Sequence, residues 1–340
     1  MATPSSTNRP TPEHIFNTLF AYQQTYALRA AIDLDIFSTI AAGATDISSL
    51  AKKTGAAERG LQALCNYLVP LGFLTKQGSN YGLTQDSAIF LNKQSPAYMG
   101  AISQFFTNDR LVGNFAKLSE AVKKGGTVDT EGHNQAPNDE VWVTFARTMG
   151  PTTAPAAAFV AELTGMSQGK TCKVLDIAAG HGMYGITLAR KNPNAKVTAL
   201  DWPNVLEVAK ENARVAGVDD RLNTISGNVF EADLGSGYDY VLLTNIFHHF
   251  DPSTCEKLMK RVHDALKPGG QAITVEFVPN EDRVSPAMPA MFSLVMLAAT
   301  DAGDAYTLAE YEKMFRNAGF TKTTLHQISG MPSQVLVSEK

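Results

Sequence analysis

The sequence predicts an α/β protein: a doubly wound, seven-stranded sheet with a reversed last strand, behind a mostly helical N-terminal domain. Three observations predict it. From Lys173 onward, short apolar runs alternate with amphipathic helical stretches, the pattern of a parallel sheet wrapped by helices. The last two runs are separated only by the turn at Gly330-Met331-Pro332, so they form an antiparallel hairpin. Before Lys173 the chain instead reads as helices and one short hairpin. With 340 residues, of which 44% are hydrophobic and 18% charged, there is material for two domains with real cores.

Residues 1–13 read as a tail. Ile15, Leu19, Tyr22, Tyr26 and Ala30 then recur at helical spacing. Residues 46–52 form a short helix with Asp46 as N-cap, and Thr54-Gly55 turns the chain. Residues 58–73 form a second helix with Leu61, Leu64, Leu68 and Leu71 on one face. FLTKQGSNYGLT then makes two short strands around Gly78-Ser79-Asn80. Helix, turn, helix and hairpin describe a winged helix. Its second helix has Arg59 beside Glu58 and is otherwise mostly apolar, whereas a major-groove helix needs cationic and amide side chains along one face. The region therefore reads as an interaction domain. Residues 92–165 are a helical connector, with an exposed loop from Lys123-Lys124-Gly125-Gly126 to Pro137.

In the second half, KVLDIA, KVTALDW, LNTISGN, YDYVLLTN, QAITVEF, TKTTLHQI and QVLVSEK are the strands. The helices between them are MYGITLARKN, VLEVAKENARVAG, PSTCEKLMKRVHDALKPGG, ended by Pro268-Gly269-Gly270, and LAEYEKMFRNAGF.

Composition excludes several classes. Lys+Arg 29 against Asp+Glu 33 gives a net charge of −4 and no electrostatic footprint for nucleic acid. No apolar run approaches the ~20 residues of a membrane span. The polar, proline-punctuated N-terminus does not read as a secretory signal. Cys65, Cys172 and Cys255 are isolated, which fits a reduced cytoplasmic compartment and no structural metal.

Four motifs carry chemistry. VLDIAAGHG (174–182) ends one strand and opens a helix; its small residues allow close backbone approach, and the helix start offers free N–H groups. A-A-G-H-G lacks the spacing of a pyrophosphate turn, and Asp176 would repel phosphate but accept from an ammonium. Asp201, in ALDW, ends the next strand, where an acid accepts ribose hydroxyls; the alternative is an ordinary cap before Pro203. In SGNVF (226–230), Asn228 suits an adenine edge and Val229 or Phe230 its face. In TNIFHHFD (244–251), two adjacent histidines lie beyond the fourth strand, between Phe247 and Phe250. An imidazole, with an ordinary pKa near ~6.5, suits proton removal at neutral pH.

With those motifs, residues 173–340 resemble the class I S-adenosylmethionine-dependent methyltransferases. The whole chain resembles the two-domain small-molecule O-methyltransferases, typified by the plant caffeic acid and animal hydroxyindole enzymes. The strings HHFD and GDAYTLAEYE are nearest to bacterial and cyanobacterial members. The resemblance implies a Rossmann-like methyltransferase sheet at 166–340, a winged-helix dimerisation domain at 1–98, and a connector at 99–165 that contributes to the acceptor pocket. It also implies S-adenosylmethionine as cofactor, no metal, a homodimer, and a place in secondary metabolism.

Carried over residue by residue, the family's glycine-rich loop falls on Ala178, Ala179, Gly180, His181 and Gly182, after Asp176. The ribose acid falls on Asp201, beside Trp202. The adenine motif falls on Gly227, Asn228, Val229 and Phe230, with Asn228 for the family's Asp. The family's Lys before its catalytic His falls on Thr244, next to Asn245, so one cofactor contact changes character. His248 falls on the general base, and His249 replaces an acid. The family holds its base between two glutamates. One matches Glu276; the other falls near Ala305, and Asp304 or Asp301 is the expected stand-in.

The implied reaction is methyl transfer to a phenol, with His248 taking the hydroxyl proton and Glu276 fixing the imidazole. Phe105, Phe106, Trp142, Phe145, Met149, Phe292 and Met296 are the expected walls of a flat, apolar acceptor pocket. The missing second glutamate leaves open methylation at nitrogen or carbon, or other chemistry on the same fold. A winged-helix DNA-binding regulator is the non-enzymatic alternative.

Overall fold

The computed structural model describes residues 10–129 and 139–340. The chain divides into two compact units, Met1–Thr107 and Asn108–Lys340. The helical connector expected at 99–165 is thus divided at residue 107, and most of it joins the sheet unit, where its last helix packs on the sheet.

The N-terminal unit contains α1 (Glu13–Asp33), α2 (Ile36–Ala41), α3 (Ile47–Thr54), α4 (Glu58–Leu68), β1 (Leu74–Gln77), β2 (Asn80–Leu83), α5 (Gln85–Phe90) and α6 (Ile102–Phe106). Asp46 caps α3 by accepting from the Ser49 N–H at 2.9 Å, as expected, and Gly55 ends it in a left-handed conformation. The second helix stops at Leu68 instead of running to residue 73, leaving Leu71 in the turn before β1. Asn80 belongs to β2, paired with Gln77, so the hairpin turn is Gly78-Ser79. Leu50, Leu61, Cys65, Leu68, Leu74 and Tyr81 form the core. The first half of α1 contributes nothing to it: Ile15, Phe16, Leu19, Phe20, Tyr22 and Tyr26 are exposed.

The second unit opens with α7 (Asp109–Ala116), α8 (Leu118–Lys124), α9 (Glu140–Thr148) and α10 (Gly150–Leu163). Strand–helix alternation follows: β3 (Cys172–Ile177), α11 (Met183–Lys191), β4 (Ala195–Asp201), α12 (Pro203–Ala216), β5 (Leu222–Ser226), β6 (Tyr238–Thr244), α13 (Pro252–Ala265) and β7 (Leu266–Glu276). The unit closes with α14 (Ala287–Ala299), α15 (Leu308–Asn317), β8 (Lys322–Gln327) and β9 (Gln334–Glu339).

The sheet order is β5-β4-β3-β6-β7-β9-β8. Pairing is parallel from β5 through β7, and β9 runs antiparallel to both β7 and β8. Residues alternate between two cores: Val241 and Leu243 pack with α13 and α15, while Leu242 faces the layer of α10 and α11. Strand order reverses at β3, so the carboxyl ends of β3, β4 and β6 open on the edge where such sheets hold ligands.

Three local expectations differ. The helix over 252–265 ends at Ala265, and Pro268-Gly269-Gly270 lies inside β7, where the register against β6 shifts between Tyr238 and Tyr240. A Cβ at Gly270 would stand 2.9 Å from the Tyr238 carbonyl oxygen, so glycine serves close strand approach there. Lys123 and Lys124 end α8, and Gly126 and Thr127 are buried, not exposed; residues 130–137 of that loop lie outside the described residues, as do 1–9 of the tail. The apolar helix α14 has no counterpart in the sequence reading. Among the described residues, no helix is long and apolar enough to cross a membrane.

The close seating of α11 on the sheet is testable. A Cβ at Gly185 would stand 2.7 Å from Val197 Cγ1 and 3.0 Å from Asp176 Oδ2. Gly185→Ala therefore destabilises the unit by about 1–3 kcal/mol through overpacking. Thermal unfolding reads this as a drop of roughly 2–4 °C per kcal/mol; an unchanged midpoint would contradict the packing.

Candidate active site

The turn after β3 is built from backbone conformations that need small residues. Ala178 has φ +52°, Gly180 +57° and Gly182 +72°. The Gly182 N–H donates to the Ala179 carbonyl at 2.7 Å, closing the turn before α11. A Cβ at Gly182 would stand 3.1 Å from Ala209 Cβ, so the loop also lies tightly on α12.

Asp176, at the end of β3, is buried. Its Oδ2 accepts from the Gly185 N–H at 3.1 Å, and Oδ1 has no hydrogen-bond partner among the described residues. Burial pushes its carboxyl up to about 7, against the Gly185 hydrogen bond and with a smaller push from Asp201. Asp201 accepts from the Gly180 N–H at 2.8 Å and from the Trp202 N–H at 2.7 Å, so β4 is tied to the turn. Burial raises its carboxyl to about 6 despite both donors. Two carboxyls and a left-handed turn thus face one edge.

Beyond β5, the Gly227 N–H donates to the Asp201 carbonyl at 3.0 Å. Asn228 Oδ1 accepts from the Phe230 N–H at 3.0 Å, a local Asx turn, and Val229 is buried. Thr244 is buried at the end of β6, and Asn245 turns the chain with φ +55° while its N–H donates to Val275 at 2.9 Å. All the residues expected to hold a cofactor in this half come to the carboxyl edge of the sheet.

His181 had no individual role in the sequence reading. Its Nδ1 accepts from the Met183 N–H at 3.1 Å, so Nε2 carries the proton and faces Thr153 Oγ1 at 3.4 Å. Burial lowers its pKa to about 4. The ring stacks between Phe145 at 6.2 Å and Tyr184 at 6.5 Å, joining the turn to α9.

The second half of the site is the turn at 247–249. Glu276 and His248 are both buried. Glu276 Oε1 accepts from the Phe247 N–H at 2.9 Å, and Oε2 lies 2.6 Å from His248 Nδ1. The carboxylate accepts at both oxygens, so Nδ1 carries the imidazole proton and Nε2 is left as the acceptor. Phe292 meets the His248 ring edge-on at 4.8 Å and packs on Phe277 at 4.2 Å. The His249 ring lies 4.3 Å from that of His248 and 5.5 Å from Trp142. Burial holds His249 well below its ordinary pKa, so it stays neutral.

Trp142 and Phe145 meet edge to face at 6.0 Å on α9, and Trp142 joins Trp202 in one apolar cluster with Val205 and Val208. Met149 follows at the end of α9, half-buried, and Met296 is buried on α14 one turn beyond Phe292. Phe105 and Phe106 lie on α6 in the N-terminal unit.

The expected second acid is displaced. Asp304 Oδ2 accepts from Arg283 at 3.0 Å and Oδ1 from the Ala305 N–H at 2.8 Å. Arg283 also binds Glu310, and the network is partly exposed. Asp304 therefore belongs to a surface ion-pair network and makes no hydrogen bond to His248. Asp301 is exposed and ion-paired with Lys124 at 4.0 Å. Among the described residues, no group of three or more His, Cys, Asp or Glu is placed to hold a metal ion.

Comparison with known proteins places these residues in context. Residues 139–321 match the model of an O-methyltransferase domain, and residues 16–93 that of an O-methyltransferase dimerisation domain. A 3-hydroxy-5-methyl-1-naphthoate 3-O-methyltransferase of Streptomyces sahachiroi is 30% identical over 302 residues, 87% of this chain and 86% of its own. A solved structure of a candidate O-methyltransferase from Nostoc punctiforme is 47% identical, with a TM-score of 0.93 over 97% of this chain and 100% of that one. PigF of a Serratia species, solved with S-adenosylhomocysteine, is 25% identical with a TM-score of 0.86 over 97% and 100%.

The two buried carboxyls set a pH dependence. In the folded chain both hold a proton more tightly than in the unfolded chain, where Asp lies near 3.8. Their contribution to stability is complete below that value and is lost as pH rises through about 6 and about 7. In ligand-free protein, Asp176→Asn removes the larger part of that loss. Its melting temperature, followed from about pH 5 to about pH 8, is expected to fall less than that of the unsubstituted chain; parallel curves would refute the assignment.

Proposed function

The chain belongs to the S-adenosylmethionine-dependent O-methyltransferases, and from that membership we propose that it methylates a hydroxyl of a small aromatic metabolite, with His248 as general base. The observation that carries this reading is the buried His248–Glu276 pair, which ties Nδ1 to the carboxylate and leaves Nε2 to meet an acceptor hydroxyl at the carboxyl edge of the sheet.

The residues at that edge fit the cofactor. The orphaned Oδ1 of Asp176 is an acceptor suited to an ammonium, beside a turn of Ala178, Gly180 and Gly182 that lets a ligand approach the backbone. Asp201 would hold the ribose hydroxyls. Gly227, Asn228 and Val229 would take the adenine, and Trp202, Thr244 and Asn245 would border the site. S-adenosylmethionine supplies, when bound, a methyl group already attached to a good leaving group. The protein's own work is then position, desolvation and proton removal.

A phenol with a pKa near ~10 is a poor nucleophile while protonated. His248 Nε2 accepts that proton as the oxygen attacks. Glu276 holds Nδ1–H, fixes the tautomer and stabilises the imidazolium that forms. Trp142, Phe145, Met149, Phe292 and Met296 offer apolar walls suited to a flat ring. The relative named for a hydroxylated naphthoate supports an aromatic acceptor. The rings of Phe292 and His249 lie against the base, at 4.8 Å and 4.3 Å.

A second copy of the chain is the partner assigned to the exposed stripe Ile15, Phe16, Leu19, Phe20, Tyr22 and Tyr26, which from Phe16 onward lies in the region matching a dimerisation domain. Cys65, Cys172 and Cys255 are buried and unbridged, which suits a reducing cytoplasm.

His248→Ala is expected to lower kcat on a phenolic acceptor about 10²–10⁴-fold while leaving S-adenosylmethionine affinity intact. Asp304→Ala, which removes a surface ion pair and the acceptor of the Ala305 N–H, should stay within about twofold of the unsubstituted enzyme. Steady-state assays with a panel of phenols decide both. Full turnover in His248→Ala would remove the base assignment, and a loss in Asp304→Ala comparable to that in His248→Ala would restore Asp304 to the catalytic set.

A further inference from the structure

The imidazole of His248 is held at its side chain by Glu276 and Phe292, but its main chain is held by something else. A Cβ built on Gly303 would stand 2.1 Å from the His248 carbonyl oxygen and 3.0 Å from the His249 carbonyl carbon. Backbone therefore lies directly on backbone, and no side-chain rotation could relieve an added methyl group. On the same segment, a Cβ on Gly126 would stand 2.4 Å from the Asp301 carbonyl oxygen, and the Thr127 N–H donates to the Thr300 carbonyl at 2.8 Å. Residues 300–303 thus touch both the end of α8 and the histidine turn.

The segment is also tied to α14. Thr300 Oγ1 accepts from the Gly303 N–H at 2.8 Å and donates to the Met296 carbonyl at 2.7 Å. Phe292, against the His248 ring, lies one turn earlier on that helix. One continuous stretch therefore sets both the ring and the main chain of His248.

We propose that Gly303 is a positioning residue for His248: its missing side chain lets residues 300–303 seat the histidine turn at the depth where the imidazole meets Glu276. The inference rests on the reading of His248 as base. An alanine at 303 must push the 248–249 backbone by about an ångström, a misplacement of the size that costs about 10²-fold in rate.

The test is Gly303→Ala, made alone and in the His248→Ala background. Alone, it is expected to lower kcat about 10²-fold, with S-adenosylmethionine affinity by calorimetry unchanged. In the His248→Ala background it should cost nothing more, because Gly303 acts only through that ring. An equal loss in both backgrounds overturns the proposal, as does full turnover in the single variant. A second readout needs no methyl acceptor: the proton NMR signal of the imidazole N–H bonded to Glu276, assigned by its absence in His248→Ala. It should shift or vanish in Gly303→Ala; an unmoved signal overturns the positioning role. If the unsubstituted protein methylates no phenol, the reading of the function fails while this signal still decides the role of Gly303. Should Gly303→Ala not fold, Thr300→Val loosens the same segment by removing both hydrogen bonds of Oγ1. It is expected to lower kcat roughly five- to tenfold and to move the same signal, and no change in either is the contrary result.

Discussion

A carboxylate buried at the end of one strand is tolerable only if donors meet it, and Glu276 has two: the Phe247 N–H and His248 Nδ1. Much else in the second unit serves that junction. β6 and β7 are parallel neighbours, with Thr244 opposite Val275, so the turn leaving β6 reaches the carboxylate that ends β7. The positive φ of Asn245 bends the chain there, and its N–H keeps the pairing with Val275 to the last residue. The reversed strand β9 then covers Glu276 on its other side, opposite Gln334. Removing either partner would leave a buried charge or a buried donor unmet, which is far more costly than the pair itself is stabilising.

The other half of the edge shows a different compromise. Asp176 and Asp201 are buried where the loss of water disfavours the charge of each. Such carboxyls are poor choices for stability and good ones for a ligand that brings an ammonium and hydroxyl donors. His181, held neutral by burial, joins this turn to α9 by stacking on Phe145, and the same helix carries Trp142 to His249. The turn after β3 and the histidine turn are therefore connected through α9.

Much of this was legible in the sequence because it follows period and punctuation. The strands were visible as apolar runs, and the glycine-rich turn, Asp201, Asn228 and the His-His pair all sit where the strand ends predicted them. What was not legible depended on distant partners. Asp304 is near the site in sequence, but Arg283, with its positive φ, binds it away from the imidazole. Helix α14 is apolar on most faces and so has little 3.6-residue periodicity to betray it. Pro268-Gly269-Gly270 reads as a helix stop and is in fact a break in strand register. The pressure of Gly303 on the His248 carbonyl leaves no trace in spacing or composition, since only the fold brings the two together.

The edge built by Asp176, Asp201 and the turn between them must bind the cofactor if the site works as proposed. The decisive measurement is calorimetric titration with S-adenosylhomocysteine, on the unsubstituted protein and on Asp201→Ala. Binding in the roughly micromolar range is expected for the first and none for the second. No binding to the unsubstituted protein, or equal binding to both, would contradict the proposed site.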